Sequence, residues 1–140
     1  MSQPQYGHQQ YGQQGYGQQP GTAGPDDRTP AALAHASSLI AMVISAGWLS
    51  FVGPLVMWLL YKDRSPFVRQ AAAGSFNFNL GLWVMNIVGW ILIITIIGIP
   101  VGIVLLVISY LGQVIGHIIG TVRATRGLTM NYPFQIRVLR

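Results

Sequence analysis

Nearly every apolar side chain of this sequence lies between Ala31 and Val122, and charge enters that region at one place only, Lys62-Asp63-Arg64 and Arg69. A soluble domain carries about 25% charged residues. Here the whole chain has 8%, with 51% hydrophobic residues and a mean hydropathy of +0.46 over 140 residues. Water-facing side chains cannot cover that much apolar surface at this size, whereas a bilayer removes the need. Within lipid, a backbone must satisfy its own N–H and C=O groups, so the expected class is an all-α membrane protein.

The charge distribution agrees. Seven of the eight Lys and Arg residues fall at Lys62, Arg64 and Arg69 or after residue 122, at Arg123, Arg126, Arg137 and Arg140. Basic residues flanking apolar spans mark the cytoplasmic side and suit anionic lipid headgroups. Lys62, Arg64, Arg69, Arg123 and Arg126 are therefore read as headgroup contacts rather than as a nucleic-acid patch. The expected location is the plasma membrane, with both termini cytoplasmic.

Residues 1–29 repeat QYGHQ, QYGQQ and GYGQQ, spacing Tyr6, Tyr11 and Tyr16 evenly among Gln and Gly. Such a composition cannot build a core, and a disordered tail is expected there. It serves either as a solvated tether or as a weak self-associating element. The polar start makes the first apolar segment an expected uncleaved signal anchor. Thr29-Pro30 reads as a cap followed by a first-turn proline.

The tract from Ala31 to Tyr61 would be roughly 46 Å as one helix, too long for a hydrocarbon core of about 30 Å. Gly47, Gly53 and Pro54 interrupt it. Two short helices near 30–46 and 50–61, each near the lower length limit for a span, form a hairpin with its turn on the side opposite the charges, or one kinked helix spans once. Ser65-Pro66 starts a long helix to about residue 97, Ile97-Gly98-Ile99-Pro100 forms an uncharged turn, and a last helix runs over 100–126 to a Gly127 cap. The expectation is four helical segments, a short hairpin plus two long transmembrane helices, followed by an interfacial segment over 127–140. NYPFQIRVLR in that segment either lies on the headgroup layer or covers the cytoplasmic end.

In the third helix, Gln70, Gly74, Asn77 and Gly81 form one helical stripe, and Ser75, Asn79, Leu82, Asn86 and Gly89 an adjacent one. Lipid cannot satisfy amides, so this small, polar face should turn inward. Gly112, Gly116 and Gly120 make a double GxxxG ridge on the last helix, and packing against Gly74, Asn77 and Gly81 is expected. Asn77, Asn79, Asn86 and Gln113 are the intramembrane polar residues. They serve either as interhelical hydrogen-bond partners or as the lining of a polar path.

Little chemistry is on offer. Asp26, Asp27 and Asp63 are the only acids, there is no cysteine, and no phosphate-binding glycine loop is present. Acid–base, two-metal and thiol chemistry lack their residues. His35 and His117 fall at similar depth and can meet, with interfacial anchoring or hydrogen bonding as their expected role. No cofactor, no metal and no enzymatic activity is expected.

The His-bearing first helix, GPLVMWLLYKDRSPFVRQAAAGSFNFNL, the Gly-Ile-Pro turn and the ending RATRGLTMNYPFQIRVLR are a combination carried over roughly residues 31–140. It resembles the bacterial family of uncharacterised small membrane proteins grouped with the twenty-kilodalton translocon subunit of the chloroplast inner envelope. That resemblance implies a four-helix membrane fold and, for the chloroplast relative, a part in protein import. The leading functional expectation is an accessory or assembly component, with a homo-oligomer or other membrane proteins as partners. A small channel or translocation subunit and a tail-driven clustering protein are the alternatives.

Overall fold

The computed structural model describes residues 23–140, so the expected disordered tail lies largely outside the described residues. Among them are four helices and no strand: α1 (Arg28–Ser45), α2 (Val52–Tyr61), α3 (Pro66–Ile94) and α4 (Ile99–Thr125). The all-α class and the four-segment pattern are as the sequence led one to expect.

Local chemistry sets most boundaries. Ser65 caps α3, its side chain accepting from the Val68 N–H at 3.2 Å, with Pro66 at the first helical position. Gly127 closes α4 at φ +73°, where the Leu128 N–H bonds the Arg123 carbonyl and the Gly127 N–H that of Ala124. The start of α1 departs from expectation. Asp27, not Thr29, is the N-cap, because the Asp27 carboxylate and backbone N–H both close a turn onto Gly24 that admits Arg28 and Thr29 to the helix.

The tract over 31–61 is a hairpin and not a kinked helix. Ala46 and Gly47 take φ of 52° and 90°, which stops α1 and reverses the chain. Gly53 and Pro54 are not the break. They sit in the first turn of α2, where a methyl on Gly53 would lie 2.6 Å from Ser37 Oγ, so the glycine lets α2 close on α1.

At the charged end, Ala31 and Ala32 of α1, Phe67, Val68 and Ala71 of α3 and Ala124 of α4 form one core cluster, with Tyr61 packed against it. The start of α1 and the ends of α2 and α4 therefore meet the start of α3. The two pairs differ in reach. The hairpin turn lies level with Tyr110 of α4, whose hydroxyl donates to the Ala46 carbonyl at 2.9 Å, and with Trp83 of α3, which meets Phe51 edge-on at 5.8 Å. From those levels α3 and α4 each continue for roughly 16 Å beyond the hairpin. Their exposed ends are Ile94, Ile96 and Ile97. Both α3 and α4 are long and apolar enough to cross a membrane.

Past the hairpin, α3 and α4 approach through Gly89 and Gly102. A methyl on Gly102 would lie 2.6 Å from the Gly89 carbonyl oxygen and 2.8 Å from the Ile93 side chain. Backbone cannot yield as a flexible side chain does, so Gly102→Ala should cost about 1–3 kcal/mol. Unfolding of the variant in a detergent titration measures this, and wild-type stability would show that the two helices are not in such close contact.

Candidate functional site

The polar side chains of three helices, the hairpin turn and the C-terminal segment converge on one buried network. Its centre is Tyr132, which is 6% exposed although it follows the last helix. The Tyr132 hydroxyl lies 2.8 Å from His35 Nδ1 of α1 and 3.3 Å from His117 Nδ1 of α4. Its ring stacks on Phe78 of α3 at 4.3 Å between centroids. Burial raises the Tyr132 hydroxyl further above the ordinary phenol range, so it stays a neutral donor.

The network continues into α3. His117 Nε2 lies 3.0 Å from Asn79 Oδ1, while Asn79 Nδ2 donates to Ser38 Oγ at 3.0 Å and to the Ser50 carbonyl at 3.2 Å. A carbonyl can only accept, which fixes the amide's orientation. His117 Nε2 must then carry the proton, leaving its Nδ1 as the acceptor. Ser75 Oγ adds bonds to Ser38 Oγ at 3.0 Å, to the Ala34 carbonyl at 3.2 Å and to His117 Nδ1 at 3.4 Å.

Two proton arrangements satisfy this count. In one, His35 Nδ1–H donates to Tyr132, whose hydroxyl donates to His117. In the other, Tyr132 donates to His35, and Ser75 turns its one proton from the Ala34 carbonyl to His117. Turning the Tyr132 and Ser75 hydroxyls together therefore changes the tautomer required of His35.

The expected site residues separate into distinct places. His35 and His117 are 1% and 0% exposed, so they are core hydrogen-bond partners and not interfacial anchors. Asn79 holds α3 to α1, α4 and the hairpin turn. Asn86 Nδ2 donates to Ser109 Oγ at 3.3 Å, a second α3–α4 bond nearer the apolar end. Gln113 is 1% exposed and neither of its amide atoms has a hydrogen-bond partner among the described residues; Ser50 Oγ shares that condition.

Asn77 lies elsewhere. It clamps the C-terminal segment: Oδ1 accepts from the Val138 and Leu139 N–H groups, both at 2.9 Å, and Nδ2 donates to the Leu139 carbonyl at 2.8 Å. The expected match between the two glycine faces also fails. Gly74 and Gly81 face Met130, Tyr132 and Phe134 of the C-terminal segment, whereas Gly112 faces Leu82, Gly116 faces Phe78 and Tyr132, and Gly120 faces Tyr132 and His35. The C-terminal segment takes the place on α3 that the α4 ridge was expected to fill.

The basic residues gather at one end. Lys62 Nζ lies 5.3 Å from the Trp58 ring centroid, Arg123 Nε donates to the Thr129 carbonyl at 3.0 Å, and Arg64, Arg69 and Arg126 are exposed. Among the described residues, no group of three or more His, Cys, Asp or Glu side chains is placed to hold a metal. The ring nitrogens at the network's centre instead face hydroxyl and amide partners.

Tyr132 is the residue that sequence reasoning missed. An aromatic after the last basic helix end reads as interfacial, and the one available sign was the Tyr-Pro-Phe run that marks a turn able to fold back. Tyr132→Phe keeps the stack on Phe78 and removes the shared hydroxyl. It should cost about 1–3 kcal/mol, since buried histidine nitrogens lose their partner. Detergent unfolding of Tyr132→Phe, His35→Phe and the double variant tests this, and additive losses would deny a shared bond.

The chain belongs to the magnetosome magnetite crystal formation protein family, whose model matches residues 26–139. That match supports the expected kind of family, small and of membrane type, but no comparison supports the grouping with the chloroplast translocon subunit. No curated protein and no solved structure matches the chain.

Proposed function

We propose that the chain is a non-enzymatic integral membrane protein with an accessory or assembly role, a rigid platform and not a catalyst. The observation that carries this is the buried network. Its two histidines, Tyr132, Asn79, Ser38 and Ser75 are bonded to one another, so these polar side chains hold segments together and are not presented to a substrate. The family's description names magnetite crystal formation, and an accessory or assembly role is consistent with it. With acids only at Asp26, Asp27 and Asp63, this chain offers little carboxylate for contact with mineral. We therefore place its action in the membrane, toward other membrane proteins or further copies of itself.

The proposed placement puts α3 and α4 across the plasma membrane with the charged end and both termini in the cytoplasm. The α1–α2 hairpin then enters and leaves from that side without crossing. Its turn suits such a depth because side chains satisfy part of its polar backbone from within: Tyr110 and Asn79 take the Ala46 and Ser50 carbonyls, and Ser45 Oγ the Leu49 N–H. Single cysteines in this cysteine-free chain test the placement. Ile97→Cys should react with an impermeant maleimide in intact cells, Arg126→Cys only after the cells are opened, and Leu49→Cys only in detergent. Labelling of Leu49→Cys from outside would mean that the hairpin crosses fully.

A polar path is the second reading, and the unpartnered Gln113 amide and Ser50 hydroxyl favour it. Proton and potassium flux into liposomes containing the purified chain separates the two. The platform reading expects no flux above empty liposomes. Flux that Gln113→Leu abolishes while the fold persists would replace it.

A further inference from the structure

We infer that the cavity between the first half of α3 and the C-terminal segment binds the phosphodiester headgroup of an anionic phospholipid. The site is separate from the buried network. It rests on the membrane placement proposed above but not on the accessory role.

The cavity measures about 330 Å³ and runs along α3 from Pro66 to Asn77. Arg69, Arg137 and Arg140 supply three cations to its lining, and Gln70, Asn131 and Gln135 supply amides, while no acidic side chain lines it. That volume is within the range of small-ligand sites. Guanidinium groups match phosphate oxygens two at a time, and the amides can serve the hydroxyls of a glycerol headgroup.

The arginines are not gathered by a flexible end. Asn77 holds the backbone at Val138 and Leu139, the Asn77 carbonyl accepts from the Ile136 N–H at 3.2 Å, and Trp58 Nε1 donates to the backbone carboxylate oxygen of Arg140 at 3.2 Å. Arg137 and Arg140 are thus fixed in backbone beside Arg69, with side chains exposed. Three guanidinium groups outnumber the one backbone carboxylate of Arg140, so the lining is net positive and favours an anion.

A lipid fits better than free phosphate. The cavity starts at the charged end, where headgroups lie, and extends roughly 16 Å toward the apolar end. Ala73, Met130 and Leu139 give part of its wall an apolar character that an inorganic ion would leave unused. Basic pockets at the cytoplasmic ends of membrane helices are suited to anionic headgroups.

The test uses the purified full chain. Vesicle flotation first establishes membrane insertion in phosphatidylcholine alone, and a chain that does not float overturns the placement and this site with it. Native mass spectrometry then compares phosphatidylglycerol with phosphatidylcholine retained on the chain. Preferential retention of phosphatidylglycerol is expected. The Arg137→Gln/Arg140→Gln pair should weaken it about thirtyfold, as the loss of two cations at a lipid surface implies. Gln70→Glu, a change at an exposed helix position, should weaken it as well, and keeps the test valid if the arginine variant fails to fold. Arg123→Gln/Arg126→Gln, equally basic but outside the cavity, should weaken it less, by the general attraction of surface cations alone. Equal retention of the two lipids, or equal weakening by the outside pair, would overturn the site. Displacement of the lipid by millimolar glycerol phosphate would reassign it to a free phosphate ester.

Discussion

Hydrocarbon offers no partner to an N–H or a C=O, and on the proposed placement the arrangement of this small bundle meets that constraint. Helices satisfy themselves along their length, but a turn cannot. At the tip of the α1–α2 hairpin two carbonyls outside the helices are met by side chains from the other two helices, Tyr110 at Ala46 and Asn79 at Ser50. The same Asn79 continues into His117 and, through Tyr132, to His35. A requirement that begins at one turn thus draws in three helices and the end of the chain.

The terminal segment is part of this core. Stacking of Tyr132 on Phe78 and its hydroxyl between two histidines set one point, and the Asn77 clamp sets another further along the chain. Between them the chain reverses at Phe134, which takes φ of 55° and is 86% exposed. The segment fills the side of α3 that no other helix covers. Its basic residues are thereby carried to the cavity beside Arg69.

What the sequence revealed was local. Helix starts and stops rest on contacts of three or four residues, and Ser65-Pro66 and Gly127 announce themselves in that way. The apolar tracts revealed how many helices there are and which are long. The contacts that build the site have no such signature: Tyr132 to His35 joins residues separated by 97 positions, and Asn77 to Leu139 by 62. Glycine patterns misled for a related reason. Spacing identifies which residues share a face, but not what fills the space before it. The Gly112 ridge was legible and its assumed partner was not, while the close Gly89–Gly102 contact lacks a repeat to draw attention.

Asn77 and Asn79 show where the limit lies. They are two residues apart on one helix, equally amide and nearly equally buried, at 3% and 0% exposure. Two residues turn a helix by roughly 200°, so the side chains leave on opposite sides. Asn79 faces the helices and binds them to one another. Asn77 faces the returning terminus and binds its backbone, which is the more demanding task because an irregular segment has unpaired N–H groups that helices lack. Both carry out the inward role expected of amides in a membrane protein. There are two interiors, one between helices and one beneath the terminal segment. The second exists only because the chain folds back on itself after its last helix.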